Sequence, residues 1–280
     1  MSGEIAFANT ALESFAALVT FVLLFACIAK IKMQRGIKHV TSKEAKRNTL
    51  DYILIIWLVI HMIVLTADVL SWTAMDFGKN EVWLLFMLNL TFTCLSLECM
   101  VYTYYVKETI YQHEKIGNTY VYLVMLSTVI AIILWITSDI SGKFYYLDTQ
   151  GNYTQGSIYW LCQFYCIIVM CGNIVILLKH RKALVRHDVL SLLMYGLIPI
   201  ASIPAQMLWK STTFNLATTL VLIYICISVH MAQYDRIVEQ EKILIQQEHE
   251  LSMNQMQMMI AQIQPHFLYN SLTALAQLCS

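Results

Sequence analysis

Charge is scarce in this sequence. Asp, Glu, Lys and Arg together make up 13% of 280 residues, about half the share found in an ordinary soluble domain. Neither sign dominates, with 18 Lys and Arg against 18 Asp and Glu, so nothing points to a polyanionic partner or to direct contact with nucleic acid. So apolar a chain excludes intrinsic disorder and a collagen-like repeat. A disulfide framework is also missing its usual setting. Of eight cysteines, Cys27, Cys94, Cys99, Cys162, Cys166, Cys171 and Cys226 stand inside apolar stretches, and Cys279 is near the C-terminus. Cys162 and Cys166 share a helix face at i,i+4, a spacing open to a metal or redox pair, although small apolar packing side chains are the favoured reading.

What is present is apolar surface. Hydrophobic residues reach 58%, and the mean hydropathy is +0.60. A bilayer core takes about 20 mostly apolar residues to cross as a helix. Seven segments qualify, roughly 10–30, 50–72, 82–105, 118–138, 157–178, 188–209 and 213–233. The first has no basic stretch before it and is longer than a signal-peptide core, which makes it a retained span. The expected fold is therefore an all-α membrane protein: seven transmembrane helices over 1–233, followed by a long cytoplasmic helix.

Orientation follows from the basic residues. Seven of them (Lys30, Lys32, Arg35, Lys38, Lys43, Lys46 and Arg47) follow the first span. Lys107 and Lys115, then Lys179, Arg181, Lys182 and Arg186, and finally Arg236 and Lys242 fall on the same side. That makes fifteen there, against Lys79, Lys143 and Lys210 on the other side. The positive-inside rule predicts an outer N-terminus and a cytoplasmic C-terminal tail, in a multi-pass protein of the cell membrane. Trp72, Trp83, Trp135, Trp160 and Trp209 fall near the predicted outer ends, as an interfacial belt does, while Trp57 sits deep in a span.

Ionisable groups in a bilayer are costly and point to function by default. Glu13, Asp68, Asn89 and Gln163 map to the outer halves of their spans, and Asp139 to an outer edge. His61 and Asp68 are seven residues apart, near one helix face. Together Glu13, His61, Asp68, Asn89 and Gln163 outline a possible outward-facing pocket for an unidentified small ligand. The alternative is ordinary hydrogen bonding between helices, at about 1 kcal/mol or less per contact. Glu98 lies in the inner half of the third span, and Pro199 and Pro204 are expected to bend the sixth.

After about Gln233 the composition changes. The linker over 234–262 has no Gly or Pro and is rich in helix formers. Ile237, Leu244, Leu251 and Met258 recur every seven residues, with Val238, Ile245 and Met259 beside them. The complementary seam, Glu241, Glu248 and Gln255, is polar, so a marginal parallel dimer and a solvated amphipathic helix both fit. The last segment, 263–280, opens with Gln264-Pro265-His266-Phe267-Leu268-Tyr269-Asn270-Ser271-Leu272. Pro265 cannot donate to the Ala261 carbonyl and should loosen or kink the helix. Beyond it Leu268, Leu272, Leu275 and Cys279 form one stripe, with His266, Asn270, Thr273 and Gln277 opposite. A neutral imidazole presented in this way can act as a nucleophile, with Asn270 one turn later to support it. The geometry alone fits an ordinary surface histidine as well.

This box resembles the phospho-acceptor box of the LytS-type sensor histidine kinases, which runs roughly Q-x-x-P-H-F-[LI]-[FY]-N-x-L. Gln262, Pro265, His266, Phe267, Leu268, Tyr269, Asn270 and Leu272 match it, and the likeness covers about 20 of 280 residues. Thr273 stands where the family usually has Asn. The resemblance implies a homodimeric membrane sensor that autophosphorylates on His266 and passes the phosphoryl group to a response regulator, often of the LytTR type. It also implies a separate ATP-binding domain using ATP and Mg. No glycine follows Gly196 and only 14 residues follow His266, so this chain is expected to carry the sensor and the start of the dimerisation helix, truncated before that domain, with no cofactor or metal of its own. Two readings from other classes compete. One is a seven-span transporter or channel with an oligomerising tail, although no internal repeat links its halves. The other is a receptor that signals through a partner without phosphotransfer.

Overall fold

The computed structural model describes residues 3–35, 42–77, 81–148, 153–209 and 212–279. The element order is α1 (Gly3–Arg35), α2 (Ser42–Phe77), α3 (Glu81–Tyr111), α4 (Thr119–Ile136), α5 (Ser138–Ser141), β1 (Tyr145–Leu147), β2 (Tyr153–Gln155), α6 (Trp160–His180), α7 (Arg186–Trp209) and α8 (Thr213–Leu278). Each of the seven expected segments falls on a helix. Six of these helices have a stretch long and apolar enough to cross a membrane: Phe7–Lys32, Thr49–Ala74, Glu81–Tyr111, Thr119–Ile136, Arg186–Gln206 and Thr213–Met231. In α6 the apolar stretch, Phe164–His180, is shorter. The chain is a multi-pass helical membrane protein.

The reason these segments are helices is the solvent. In hydrocarbon a backbone N–H finds no water, and the helix satisfies it internally. Serine and threonine in the spans follow the same logic, bonding back to the preceding turn: Thr20 to the Ala16 carbonyl at 2.8 Å, Ser71 to Ala67 at 2.8 Å and Thr103 to Cys99 at 2.9 Å. Pro199 and Pro204 both stand inside α7, and the Ser202 hydroxyl donates to the Pro199 carbonyl at 2.7 Å.

The compact units divide between Ser228 and Val229. In the first, α2 packs between α1 and α3, while α3 also meets α4 and α6, and α6 meets α7. Only 17% of the apolar window of α1 is buried, against 50% for the membrane stretch of α8, so α1 offers most of its surface to lipid. The centre is aromatic. Trp57, Tyr102 and Tyr195 are all but fully buried, with Trp57 and Tyr195 edge to face at 4.5 Å and the two tyrosine rings 4.6 Å apart.

One connection departs from the all-helical expectation. The helix α4 stops at Ile136, two residues earlier than anticipated, and α5 ends at Gly142, whose φ of 60° is open to glycine and costly for other residues. A short antiparallel hairpin follows, with Tyr145 paired to Gln155, Tyr146 to Thr154 and Leu147 to Tyr153. It is held by packing: Phe144 and Tyr145 bury themselves with Leu84, Leu88, Ala131 and Trp135, and Tyr145 stacks on Phe92 at 5.3 Å. Ser138 ties the turn by donating to the Tyr145 carbonyl at 3.0 Å and accepting from its N–H at 3.1 Å.

The second unit is helical as far as Leu278. Leu244, Leu251 and Met258 of the heptad row are exposed, as are Ile245 and Met259. Helical residues continue on both sides of Pro265, so the expected loosening does not end the helix.

Candidate functional site

Two buried polar assemblies occupy the bundle, joined by α2 and α8. The first centres on Glu98 of α3, 1% exposed. Its Oε1 accepts from Tyr195 Oη at 2.9 Å and from Trp57 Nε1 at 3.3 Å, and lies 3.1 Å from His61 Nδ1. The other ring nitrogen of His61, Nε2, is 2.9 Å from Thr219 Oγ1 on α8. The Thr219 hydroxyl already donates to the Asn215 carbonyl at 2.8 Å, so the imidazole is the donor at Nε2. Nδ1 would then be a bare acceptor facing a carboxylate oxygen unless one proton lies between them. That proton makes the His61–Glu98 pair neutral as a whole, and a neutral pair can be buried.

The second assembly lies one turn of α8 away. Asn215 Nδ2 donates to Glu13 Oε1 of α1 at 3.0 Å and to Asp68 Oδ2 of α2 at 2.9 Å. One amide nitrogen thus holds two carboxyl groups from two helices, spending both of its N–H bonds. Glu13 is fully buried, and its second oxygen, Oε2, has no hydrogen-bond partner among the described residues.

The local reason for both contacts is register. His61 and Asp68 are two turns apart on α2, and Asn215 and Thr219 are one turn apart on α8. The helices run in opposite senses, so residue 61 meets residue 219 where residue 68 meets residue 215. A chain of polar groups results, from Glu98 through His61, Thr219 and Asn215 to Glu13 and Asp68.

Of the five residues outlining the expected pocket, Glu13 and Asp68 come together on Asn215, and His61 joins them through Thr219. Asn89 is elsewhere: it accepts a hydrogen bond from the Tyr145 hydroxyl and so fastens the hairpin to α3. The side chains of Gln163, Asp139 and Cys162 lie outside the described residues, as does that of His266. The backbone at His266 is helical, and Pro265 and Asn270 are exposed in the same helix. The residues missed from sequence are Asn215, Thr219 and Tyr195. Each is an uncharged polar side chain in an apolar span, and a search for ionisable groups passes over it. Trp57, out of place for an interfacial belt, was the available signal for the Glu98 site.

Cys166 packs with Cys99 of α3 in a small core with Val124 and Val169. The other buried polar contacts fasten helices together: Asn173 to Thr103 at 2.9 Å, Trp135 to Ser96 at 2.9 Å, and Tyr102 to the Leu192 carbonyl at 2.8 Å. An ion pair, Lys30 to Asp51 at 2.7 Å, joins α1 to α2. Among the described residues no group of three His, Cys, Asp or Glu side chains is placed to hold a metal ion.

The arrangement can hold protons or positive charge inside the bundle, and a change at either assembly acts directly on α8. A scan against protein-family models finds no match for this chain, and a search of the curated proteins finds none either.

Proposed function

We propose that the chain is the membrane sensor part of a two-component histidine kinase of the LytS type, with His266 as phospho-acceptor and Asn270 in support. In this reading α6 crosses the membrane as a seventh span, the N-terminus is outside, and the helix beyond about Gln233 is cytoplasmic. The fifteen-to-three imbalance of basic residues supports that orientation. The match around Pro265-His266-Phe267 supports the chemistry. The exposed heptad row of the second unit fits a homodimer.

The observation that carries the reading is that one helix, α8, bears both Asn215, which holds Glu13 and Asp68, and the box around His266. A stimulus from outside or within the membrane that alters the hold of α1 and α2 on Asn215 therefore acts on the element that presents the imidazole. The chain's own residues do not fit ATP. No glycine follows Gly196 to build a phosphate loop of the family type. The nucleotide belongs to a separate domain of the family type. His266 receives the phosphoryl group and yields it to an aspartate of a response regulator.

The test is labelling. With a LytS-type ATP-binding domain joined after Ser280, the protein should take up acid-labile radiolabel from ATP, and His266→Gln should abolish it. Undiminished labelling in that variant removes His266 from the role. The polar chain between Glu98 and Asp68 also favours a second reading, an ion transporter with an oligomerising tail. Ion flux in proteoliposomes that survives deletion after Gln233 would support it.

A further inference from the structure

Two ionised carboxyls side by side in a membrane interior are costly, and Glu13 and Asp68 share one amide with no basic side chain among the described residues paired to either. Lys30–Asp51, His61–Glu98, Lys107–Glu108 and His180–Glu114 form ion pairs, and among the described residues neither Glu13 nor Asp68 takes part in one. Among the described residues their hydrogen-bond donor is the neutral amide of Asn215. Both carboxyls accept from the same amide nitrogen, at 3.0 and 2.9 Å, and carboxylates that close repel unless something positive lies between them. Glu13 is fully buried, yet Oε2 meets no donor. Thr212, one turn before Asn215 on the approach to α8, is also buried with its hydroxyl unpartnered. A buried carboxyl oxygen without a donor is stabilised by a positive charge brought beside it.

We propose that Glu13 and Asp68, held together by the Asn215 amide, form a binding site for a single small monovalent cation, either a proton or sodium, that closes α1 and α2 onto the outer part of α8. Occupancy joins the two carboxyls and lowers the charge of the pair from two to one. Loss of the cation leaves two like charges on either side of one amide, which drives α1 and α2 apart. The site goes beyond the kinase reading and stands without it, because it rests on charge and geometry alone. The groups around it are few. On α1 Glu13 itself is the titratable group, and α2 contributes Asp68 and, two turns away, His61. Across the bundle α3 contributes Glu98, reached through His61, and Tyr195 of α7 donates to that same Glu98. The facing residues of α8, Asn215 and Thr219, do not titrate.

The test is infrared difference spectroscopy on the full chain in liposomes, without nucleotide. One arm steps the pH at fixed low sodium; the other steps sodium against choline at fixed pH. The expected result is a change in carboxyl stretching in at least one arm, carried by the pH arm if the cation is a proton and by the sodium arm if it is sodium. Glu13→Gln and Asp68→Asn should each remove the change, while Glu114→Gln, remote and paired with His180, should keep it. A wild-type spectrum unchanged in both arms overturns the proposal, as does a change that survives in both variants. Each variant removes one half of the pair, so either suffices if the other does not fold, and the wild-type titration needs neither. No ATP is present, so failure here is distinct from failure of the His266 labelling.

Discussion

The two carboxyl sites of this bundle differ in burial and in pairing: Glu98 and Glu13 are fully buried, while Asp68 and its partner Asn215 are half-buried. Glu98 has three partners converging on one oxygen, an indole, a phenol and an imidazole, and it is neutral once a single proton is counted with His61. Glu13 and Asp68 have one amide between them. A satisfied buried group rigidifies a core, whereas a half-satisfied one is where a ligand or a switch acts. The Glu98 assembly is therefore the fixed point of the bundle, and the Glu13–Asp68 pair is the part free to respond.

That contrast can be broken by substitution. Glu98→Ala should be the most damaging, at about 3–5 kcal/mol, because it strands a buried imidazole along with the Trp57 and Tyr195 donors; thermal unfolding of the purified protein in detergent reads the loss. Asn215→Leu should cost about 1–3 kcal/mol by the same measurement, since it leaves two carboxyls without a donor. A smaller cost for Glu98→Ala than for Asn215→Leu would reverse the assignment of fixed and responsive sites. Tyr195→Phe removes one of three donors and keeps the ring in its aromatic cluster, so the expected loss is about 1 kcal/mol. Thr219→Val should be the mildest, at about 0.6 kcal/mol, and it sharpens the comparison most: it cuts the link between the assemblies at His61 Nε2 while leaving the contacts of Glu98 and of Asn215 with the two carboxyls in place. In that variant the infrared response at Glu13 and Asp68 should persist.

Much of the fold was legible in the sequence because a bilayer imposes a simple rule. Twenty apolar residues in a row have one cheap conformation in lipid, and each of the seven segments found in this way lies on a helix. The hairpin at 145–155 was not legible. Its strands are three residues each, and it is held by Phe144 and Tyr145 packing on Trp135 and Phe92 rather than by any pattern of its own. The site was legible in its charged members alone. His61 and Asp68 could be put on one face of α2 by counting seven residues, but their partners could not, because Asn215 and Thr219 stand about 150 residues further along. Only the antiparallel register of two distant helices pairs them. Asn89 shows the reverse error of reach: it was grouped by depth with Glu13 and Asp68, and its partner is the hairpin tyrosine.

The seam between α2 and α8 fastens at two points whose partners are unlike. A piston stroke of one helical turn, roughly 5.4 Å, would carry Thr219 toward the place of Asn215 and offer a hydroxyl where two acids need an amide. Neither rung has a second home along the track. An axial slide of α8 by one turn therefore forfeits both contacts, whereas opening at Asn215 alone leaves the His61–Thr219 rung in place as a pivot.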